Sequence, residues 1–362
     1  MASFIRGTAD NLTPIQHSNG IFKDYLKQMS LSGMFGKKGS GKPIIVDREI
    51  QGKPGDTIRY HFIPQDASDG IEGQNASILG NEQTLSEYSF DLTVDQLAQA
   101  YRKKGKMTDK RLIWNFRNEA RMQLSNWWAQ KSEDLLFDSL TGIVDGMTRT
   151  LTSDTALVNG DNRCIRADGA SSFATVTEAN STAALLDSAM NSGDKMSTQL
   201  IEEASILART AGTYKVRPVR VGKDGREFFI LIMSLKAARD LRATANWKNH
   251  ALSLIEAGIA DDPIASGALG VWDNVILKSS ERVVTFTEDS GTNTYARNLL
   301  LGADAAVLGW AQTLDYTEEL VDHKREMSVA ADEIRGQTKV KFDISASSDE
   351  DAGVVQVITA SN

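Results

Sequence analysis

Gly36, Gly41 and Lys42 in the stretch GKKGSGKP (36–43) stand at the spacing of a phosphate-binding loop, G-x-x-x-x-G-K. In such a loop a closing Ser or Thr hydroxyl ligates magnesium, and the helix that starts there aims backbone N–H groups at the phosphates. Pro43 supplies neither a hydroxyl nor an N–H. The flanks are also in the wrong order. Upstream, Ile21, Phe22, Tyr25, Leu26 and Met29 recur at helical spacing, and downstream PIIVDREI (43–50) reads as a strand. A phosphate loop needs strand, loop, helix, whereas this stretch runs helix, loop, strand. It reads as a flexible glycine–lysine connector, a hinge. A nucleotide-binding enzyme using the loop 36–42 through Lys42 stands as the alternative.

The other chemistry-bearing residues are sparse. His17, His61, His250 and His323 are the only histidines, and none has a His or Cys at ligand spacing. No G-x-S-x-G elbow occurs, and the S-x-x-K at Ser192–Lys195 lacks its partner motifs. The carboxylate clusters SEDLLFD (132–138), DYTEELVD (315–322) and SSDEDAG (347–353) have the residue types for acid–base or cation chemistry. The first falls on the polar face of a helix and the last lacks the EF-hand spacing, so all three read as solvated charge. Trp127 and Trp128 could stack a sugar or a base, but tryptophans in mid-helix read as packing residues. No catalytic, cofactor-binding or metal site is therefore assigned, and no enzyme activity. The single cysteine, Cys164, excludes an internal disulfide and suits a reducing cytoplasm.

The 362 residues, 41% hydrophobic and 24% charged, suffice for one large domain or about two to three small ones. A net charge of −8 opposes a tight grip on nucleic-acid phosphates. The one dense basic run, YRKKGKMTDKR (101–111), reads as a solvated turn between a strand and a helix. No positive head followed by an apolar run opens the sequence, so no signal peptide is expected. The most apolar stretch, 298–311, contains Asp304 and is too short to span a bilayer, so no membrane partner is expected. Without a secretory route the sequons at Asn11, Asn75 and Asn180 carry no meaning.

Residues 1–43 read as an arm, with one amphipathic helix before the connector. In DTIRYHFIP (56–64) Ile58, Tyr60 and Phe62 share a face, and in SEYSFDLTVDQ (86–96) Tyr88, Phe90, Leu92 and Val94 do, so both read as half-covered antiparallel strands. The intervening 65–83 is polar and glycine-containing and cannot build a core. An isolated two-stranded hairpin is marginal in water, so this one must rest on something else, another copy of the chain being one candidate. Residues 107–142 read as one helix, from Thr108 as N-cap to a stop at Gly142, with Leu112, Phe116, Ala120, Leu124 and Trp128 in a row joined by Ile113. A coiled coil is the alternative, but its heptad fails near Lys131 and Ser132. Residues 145–196 read as loops with one short helix at 182–190. Beyond them come a helix over 197–212, a hairpin over 216–233 with a tight turn at Asp224–Gly225, and a helix starting at Ser234. A glycine-rich turn into a strand (267–280), a strand followed by a small-residue helix (293–311) and two strands around an acidic loop (336–359) complete the chain. The fold class is α+β.

In this order the chain resembles the major capsid proteins of tailed double-stranded DNA bacteriophages, which have the Hong Kong 97-like fold, and within them the N-four-like group. The resemblance is carried by GKPGDTIRYHFIP (52–64), GIEGQNASILGNEQTLSEYSFDLTVDQ (70–96) and the stretch 107–142. ASGALGVWDNVIL (265–277), DEIRGQTKVKF (332–342) and GVVQVIT (353–359) add to it. It implies an N-terminal arm (1–43), an extended loop reaching neighbours (44–106), a peripheral domain (107–196) with a spine helix (108–141), an axial domain (197–311), and a return to peripheral strands (312–362). It further implies a virion protein, assembled in the host bacterial cytoplasm, whose copies form hexamers and pentamers of an icosahedral shell. Packaged double-stranded DNA would be contacted weakly and non-specifically. A portal and a separate scaffolding protein are implied partners, the latter because no charged helical scaffolding segment opens this sequence, and a decoration protein is a further candidate. An encapsulin-like nanocompartment shares the fold and stands as an alternative. Some relatives join a lysine to a neighbour's asparagine; Lys103 and Lys104 are present here, but no motif marks a pair and none is expected.

Overall fold

The structure is a computed structural model, and the residues it describes are 22–26, 28–48, 55–63, 82, 87–111, 113, 115–142, 163–169, 173–176, 190–210, 214–222, 225–244, 247, 264, 266–287, 293–323, 325–345 and 348–361. Helical residues 22–26 lead through a 3-10 turn (Ser32–Met34) into β1 (Phe35–Gly36) and β2 (Ile44–Asp47). The strands β3 (Thr57–Phe62) and β4 (Tyr88–Thr93) pair antiparallel, with Thr57 opposite Thr93 and Phe62 opposite Tyr88. This is the hairpin anticipated from the alternation. After Val94 comes β5 (Asp95–Lys103), then a short helix (Lys106–Arg111) and a long one (Phe116–Thr141). The basic run is thus no free turn: its first residues end a strand and its last form a helix.

The long helix is shorter than its pattern promised. Asn115 takes an extended conformation and its side-chain oxygen accepts from the Arg117 N–H at 3.0 Å, so the helix starts here and not at Thr108. The row Ala120, Leu124, Trp128 is buried as expected, but Ile113, which lies before the cap, is fully exposed. At 26 residues the helix runs about 39 Å. Gly142 ends it with φ 80°, returning its N–H to the carbonyls of Asp138 and Ser139.

The strands β6 (Cys164–Ala167) and β7 (Phe173–Thr175) stand where only loops and a helix were expected; the helix at 182–190 falls almost wholly outside the described residues. The helix Thr198–Thr210 follows, then β8 (Val219–Val221) and β9 (Arg226–Ser234), joined by four residues, because Val221 pairs with Arg226, instead of a two-residue turn. Ser234 caps the helix Leu235–Ala243, accepting from the Ala237 N–H at 3.2 Å. Then come β10 (Gly270–Trp272), β11 (Val275–Ser280), β12 (Thr285–Thr287) and β13 (Thr294–Leu301). The small-residue helix expected after β13 is a turn, with Asp304 at φ 55°, followed by the long strand β14 (Ala306–Val321). Thirteen register pairs with β15 (Glu326–Lys339) override the helix-forming composition of 303–311. The acidic loop expected near 347–353 contains a strand: after β16 (Lys341–Ser345) comes β17 (Ser348–Asp351), and β18 (Val354–Ala360) ends the described fold.

Two large sheets result. One has the order β1-β2-β14-β15-β5; the other runs β10-β11-β9-β13-β18-β6-β7, with β12 on β13 and β8 on β9. In β9, Phe228, Ile230 and Ile232 face the core shared with the long helix and the first sheet, while Phe229, Leu231 and Met233 face the helices Thr198–Thr210 and Leu235–Ala243. A strand covered on both faces needs an unbroken apolar run, which FFILIM is.

The long helix is fastened to β15 by buried charge. Arg335 lies 3.0 Å from Glu333, donates to the Ser132 hydroxyl at 2.6 Å and sits over the Trp128 ring at 5.8 Å. Tyr25, from the arm, donates to Glu333 at 3.3 Å. Burial pushes the Glu333 carboxyl up despite Arg335, and pushes the Tyr25 hydroxyl further up. Elsewhere the fold depends on close backbone approach: a Cβ on Gly336 would lie 2.2 Å from the Thr93 carbonyl oxygen.

Two stability tests follow. Gly336→Ala should cost about 2 kcal/mol or more, read as a lowered denaturant midpoint; an unchanged midpoint would mean that the β4–β15 crossing can yield. Because Glu333 takes up its proton more readily folded than unfolded, its contribution is greatest below the ordinary carboxylate range and is lost as pH rises through its raised folded value. The melting temperature of Glu333→Gln relative to wild type should therefore improve from pH 4 to pH 7, about where a carboxylate ordinarily titrates and above; a flat difference would refute burial as the dominant influence.

Candidate assembly surface

The residues singled out for chemistry are spent on structure. In the 36–43 loop, Lys42 Nζ donates to the Gly33 carbonyl at 3.3 Å. The carbonyls of Lys42 and Pro43 accept from Asp304 and Ala305 at 3.0 and 2.7 Å. The loop ends in β2, so no helix N-terminus meets a phosphate there. Among the other motifs, Asp194 of SGDK accepts from the Gly169 and Asn191 N–H groups at 2.6 and 2.7 Å, which makes it a loop clasp. His61 lies 2.9 Å from Glu87, and His323 sits in the β14–β15 turn; His17 and His250 lie outside the described residues. Among the described residues no group of three or more His, Cys, Asp or Glu could hold a metal.

The carboxylates correct the reading of solvated charge. Glu133 is buried, accepts from the Ser30 N–H and lies 3.5 Å from Arg282, whose other arm reaches Asp134 at 2.9 Å. Glu350 faces buried Arg163 at 3.5 Å, and buried Asp351 meets Lys339 at 2.8 Å. In the 315–322 cluster, Glu318 pairs with Arg117 at 2.6 Å. Trp128 is fully buried and meets Trp127 edge-on at 5.1 Å, as packing residues do.

The hairpin β3–β4 stands as a two-stranded sheet apart from the two large ones. Arg59 grips Asp91 across it with two bonds of 2.7 and 2.9 Å, an exposed fork that raises the Arg59 pKa and holds Asp91 below the usual carboxylate value. On its covered face Tyr60 stacks on Phe90 at 5.3 Å, and Tyr88 meets Tyr214 and Phe342 at 5.6 and 5.7 Å. The Tyr88 and Tyr214 hydroxyls are 2.9 Å apart, and the Tyr60 hydroxyl donates to Asp47 at 2.6 Å. The hairpin therefore rests on its own chain from Tyr60 as far as Tyr88, at the last paired position, and no second copy is needed to hold it. Pairing stops at Phe62 and Tyr88, and Ile63 beyond is 56% exposed.

A second exposed surface lies at the β14–β15 turn. Leu320 stands opposite Met327 and Met327 opposite Lys103, whose ammonium lies 5.5 Å over the Phe116 ring. Arg102 to Glu326, at 2.7 Å, closes the same end. Met107 follows Lys103 by four residues and Ile113 precedes Phe116 by three. Leu320, Met107 and Ile113, at 57%, 64% and 102% exposure, are large apolar side chains open to solvent.

Comparison with known proteins places this architecture. The sequence model of a family described as phage capsid protein matches residues 7–362. The major capsid protein of Pseudomonas phage KPP25 is 25% identical over 317 residues, 81% of this chain and 80% of that protein. The capsid of Ralstonia phage GP4 superposes with a TM-score of 0.72 at 23% identity, covering 91% of this chain and 90% of that one. The Cyanophage Pam1 capsid asymmetric unit does so at 0.65 and 17%, covering 93% of each chain. The acidic stable capsid of Helicobacter pylori bacteriophage KHP30 does so at 0.64 and 15%, covering 92% and 91%.

Replacing Ile113 and Leu320 together by Ser should leave the stability of the unassembled chain within about 0.5 kcal/mol, since both are exposed, yet lower the yield of any assembled form seen by sedimentation. A large fall in melting temperature would instead assign both residues to the chain's own core.

Proposed function

The chain belongs to the phage capsid protein family and is a bacteriophage major capsid protein with the Hong Kong 97-like fold; on that premise we propose that its copies form hexamers and pentamers that close an icosahedral shell around packaged double-stranded DNA. The family match across nearly the whole chain carries this reading. The exposed apolar side chains described above support it: Ile63, Met107, Ile113 and Leu320 are what a subunit buried against its neighbours would expose when alone. The first sheet with the long helix serves as the peripheral lobe. The second serves as the axial lobe, built on 197–311 and taking in β6, β7 and β18, which are hydrogen-bonded into it. Residues 1–43 act as the arm and 44–106 as the loop that reaches a neighbour, with β1 of the arm and β2 and β5 at the two ends of the loop joined to the first sheet. The net charge of −8 favours weak, non-specific contact with DNA. Assembly in the host cytoplasm, on a separate scaffolding protein and around a portal, completes the proposal.

Electron microscopy of the expressed chain, alone and with the products of neighbouring genes, tests it. Closed shells of uniform size are expected. Deleting 65–83 should leave a folded subunit, by circular dichroism, that no longer closes particles. Normal shells from the deletion would reject the hairpin's role, and a chain that stays monomeric under every assembly condition would reject the reading as a whole.

A further inference from the structure

β5 is the terminal strand of the first sheet, hydrogen-bonded to β15 on one side and to no strand on the other among the described residues. It keeps unbroken register with β15 from Asp95, opposite Arg335, to Lys103, opposite Met327. The other terminal strands of the two large sheets, β1, β7 and β10, are two or three residues long. At nine residues β5 is longer than most strands. Sheet edges are ordinarily blunted by proline, a bulge, shortness or an inward-pointing charge. The strand DQLAQAYRK has no proline and no bulge, and its charged residues stand at its ends. Gln96 and Arg102 reach back to Asp332 and Glu326 of β15, at 3.4 and 2.7 Å, and do not fold over the edge. The outer row of N–H and C=O groups is a template for another strand.

The order of residues along β5 says which strand. Laid antiparallel on a second copy of itself, with Gln99 opposite Gln99, it sets Asp95 against Lys103 at both ends of the pair. Leu97 then meets Tyr101, and Ala98 meets Ala100. Odd positions meet odd positions, so each face joins its like. Leu97 and Tyr101, half-buried against the core beneath the long helix, continue that apolar face across the join. A slip of two residues, the smallest that keeps the faces matched, sets Asp95 opposite Tyr101 or Gly105 and loses both charge pairs.

We propose that β5 pairs with β5 of a second copy about a two-fold axis at Gln99, so that the first sheets of two subunits become one. This rests on the shell reading above. Contacts inside a hexamer or pentamer ring are head-to-tail, and a self-complementary edge has no place among them. It joins a subunit of one ring to a subunit of the next. Neither strand of the hairpin takes part.

Full-length Gln99→Cys, assembled and mildly oxidised, tests the axis. Opposed Cα atoms of an antiparallel pair lie about 4.5 or 5.5 Å apart, within the span of a disulfide. Covalent dimers are expected on a non-reducing gel, and none from wild type, whose Cys164 is buried. Ala98→Cys should cross-link to Ala100→Cys when the two chains are mixed, and neither to itself. A charge exchange gives a second readout. Asp95→Lys alone and Lys103→Asp alone should each lower shell yield about tenfold or more, and one chain carrying both should recover to within about twofold of wild type. The two positions are about 27 Å apart along one strand, so only contact between copies can restore the double variant. Three outcomes overturn the proposal: shells of Gln99→Cys without cross-linked dimers, full assembly of either charge variant alone, or a double variant no better than the single ones. Wild-type chain that forms no shells in the same buffer would reject the shell reading itself.

Discussion

The contact between the long helix and β15 organises the rest of the molecule. Along β15 the side chains of Val329, Ala331, Glu333 and Arg335 are buried toward the helix, while those between them are half-exposed. Val and Ala alone would mark the buried face weakly, and a slip by one residue would exchange the faces. Glu333 and Arg335 make that slip costly, because it would strip Arg335 of Ser132 and the Trp128 ring and Glu333 of Tyr25. A buried ion pair adds little to stability after its desolvation cost, and its use here is to fix register. Once β15 is fixed, β14 and β5 are placed on either side of it, and the hairpin leaves the sheet where Gly336 lets Thr93 pass.

The same helix joins the two sheets through its C-terminal end. Arg297 of β13 is wholly buried, donates to the Thr141 carbonyl at 2.6 Å and to the Gln356 side chain at 3.1 Å, and burial draws its pKa down to about 10. It remains charged at neutral pH and meets the carbonyl end of the helix, where a cation is favoured. Lys339, paired with Asp351, approaches Gly142 from the first sheet. Inside the second sheet Asn298 satisfies both ends of its amide, accepting from the Ser234 N–H at 2.9 Å and donating to Val357 and Thr359 at 3.0 and 2.9 Å. Asn298 is bonded as a buried polar group must be, and it ties β9, β13 and β18 into one layer.

Local signals were legible where they sufficed to decide structure. The alternation in 56–64 and 86–96, the cap at Ser234 and the stop at Gly142 all appear as read. The break at Asn115 was missed because the apolar row runs through it, and only the cap geometry reveals the start. β14 was missed because 303–311 is rich in small residues and its strand state comes from β15, which follows it in sequence. The buried carboxylates were missed for the same reason at longer range: Glu350 and its partner Arg163 are 187 residues apart, and nothing near either names the other. Of the candidate surface, the hairpin was visible in sequence, but its footing on Tyr214 and Phe342 was not, since nothing near either residue in sequence points to Tyr88.

Charge sets the remaining constraint on a protein that must pack against itself. Copies each bearing −8 repel one another. Salt limits that repulsion to about 8 Å, so it acts mainly where surfaces touch. Contacts between copies can then succeed only where apolar area is covered or where opposite charges have been segregated. Both kinds of feature are present: Met107, Ile113 and Leu320 are exposed apolar side chains, and the run 101–111 concentrates cations, of which Arg102 is paired with Glu326 and Lys103 lies over the Phe116 ring. A chain acidic overall but locally basic can therefore approach its copies at low cost only in orientations that oppose unlike charges.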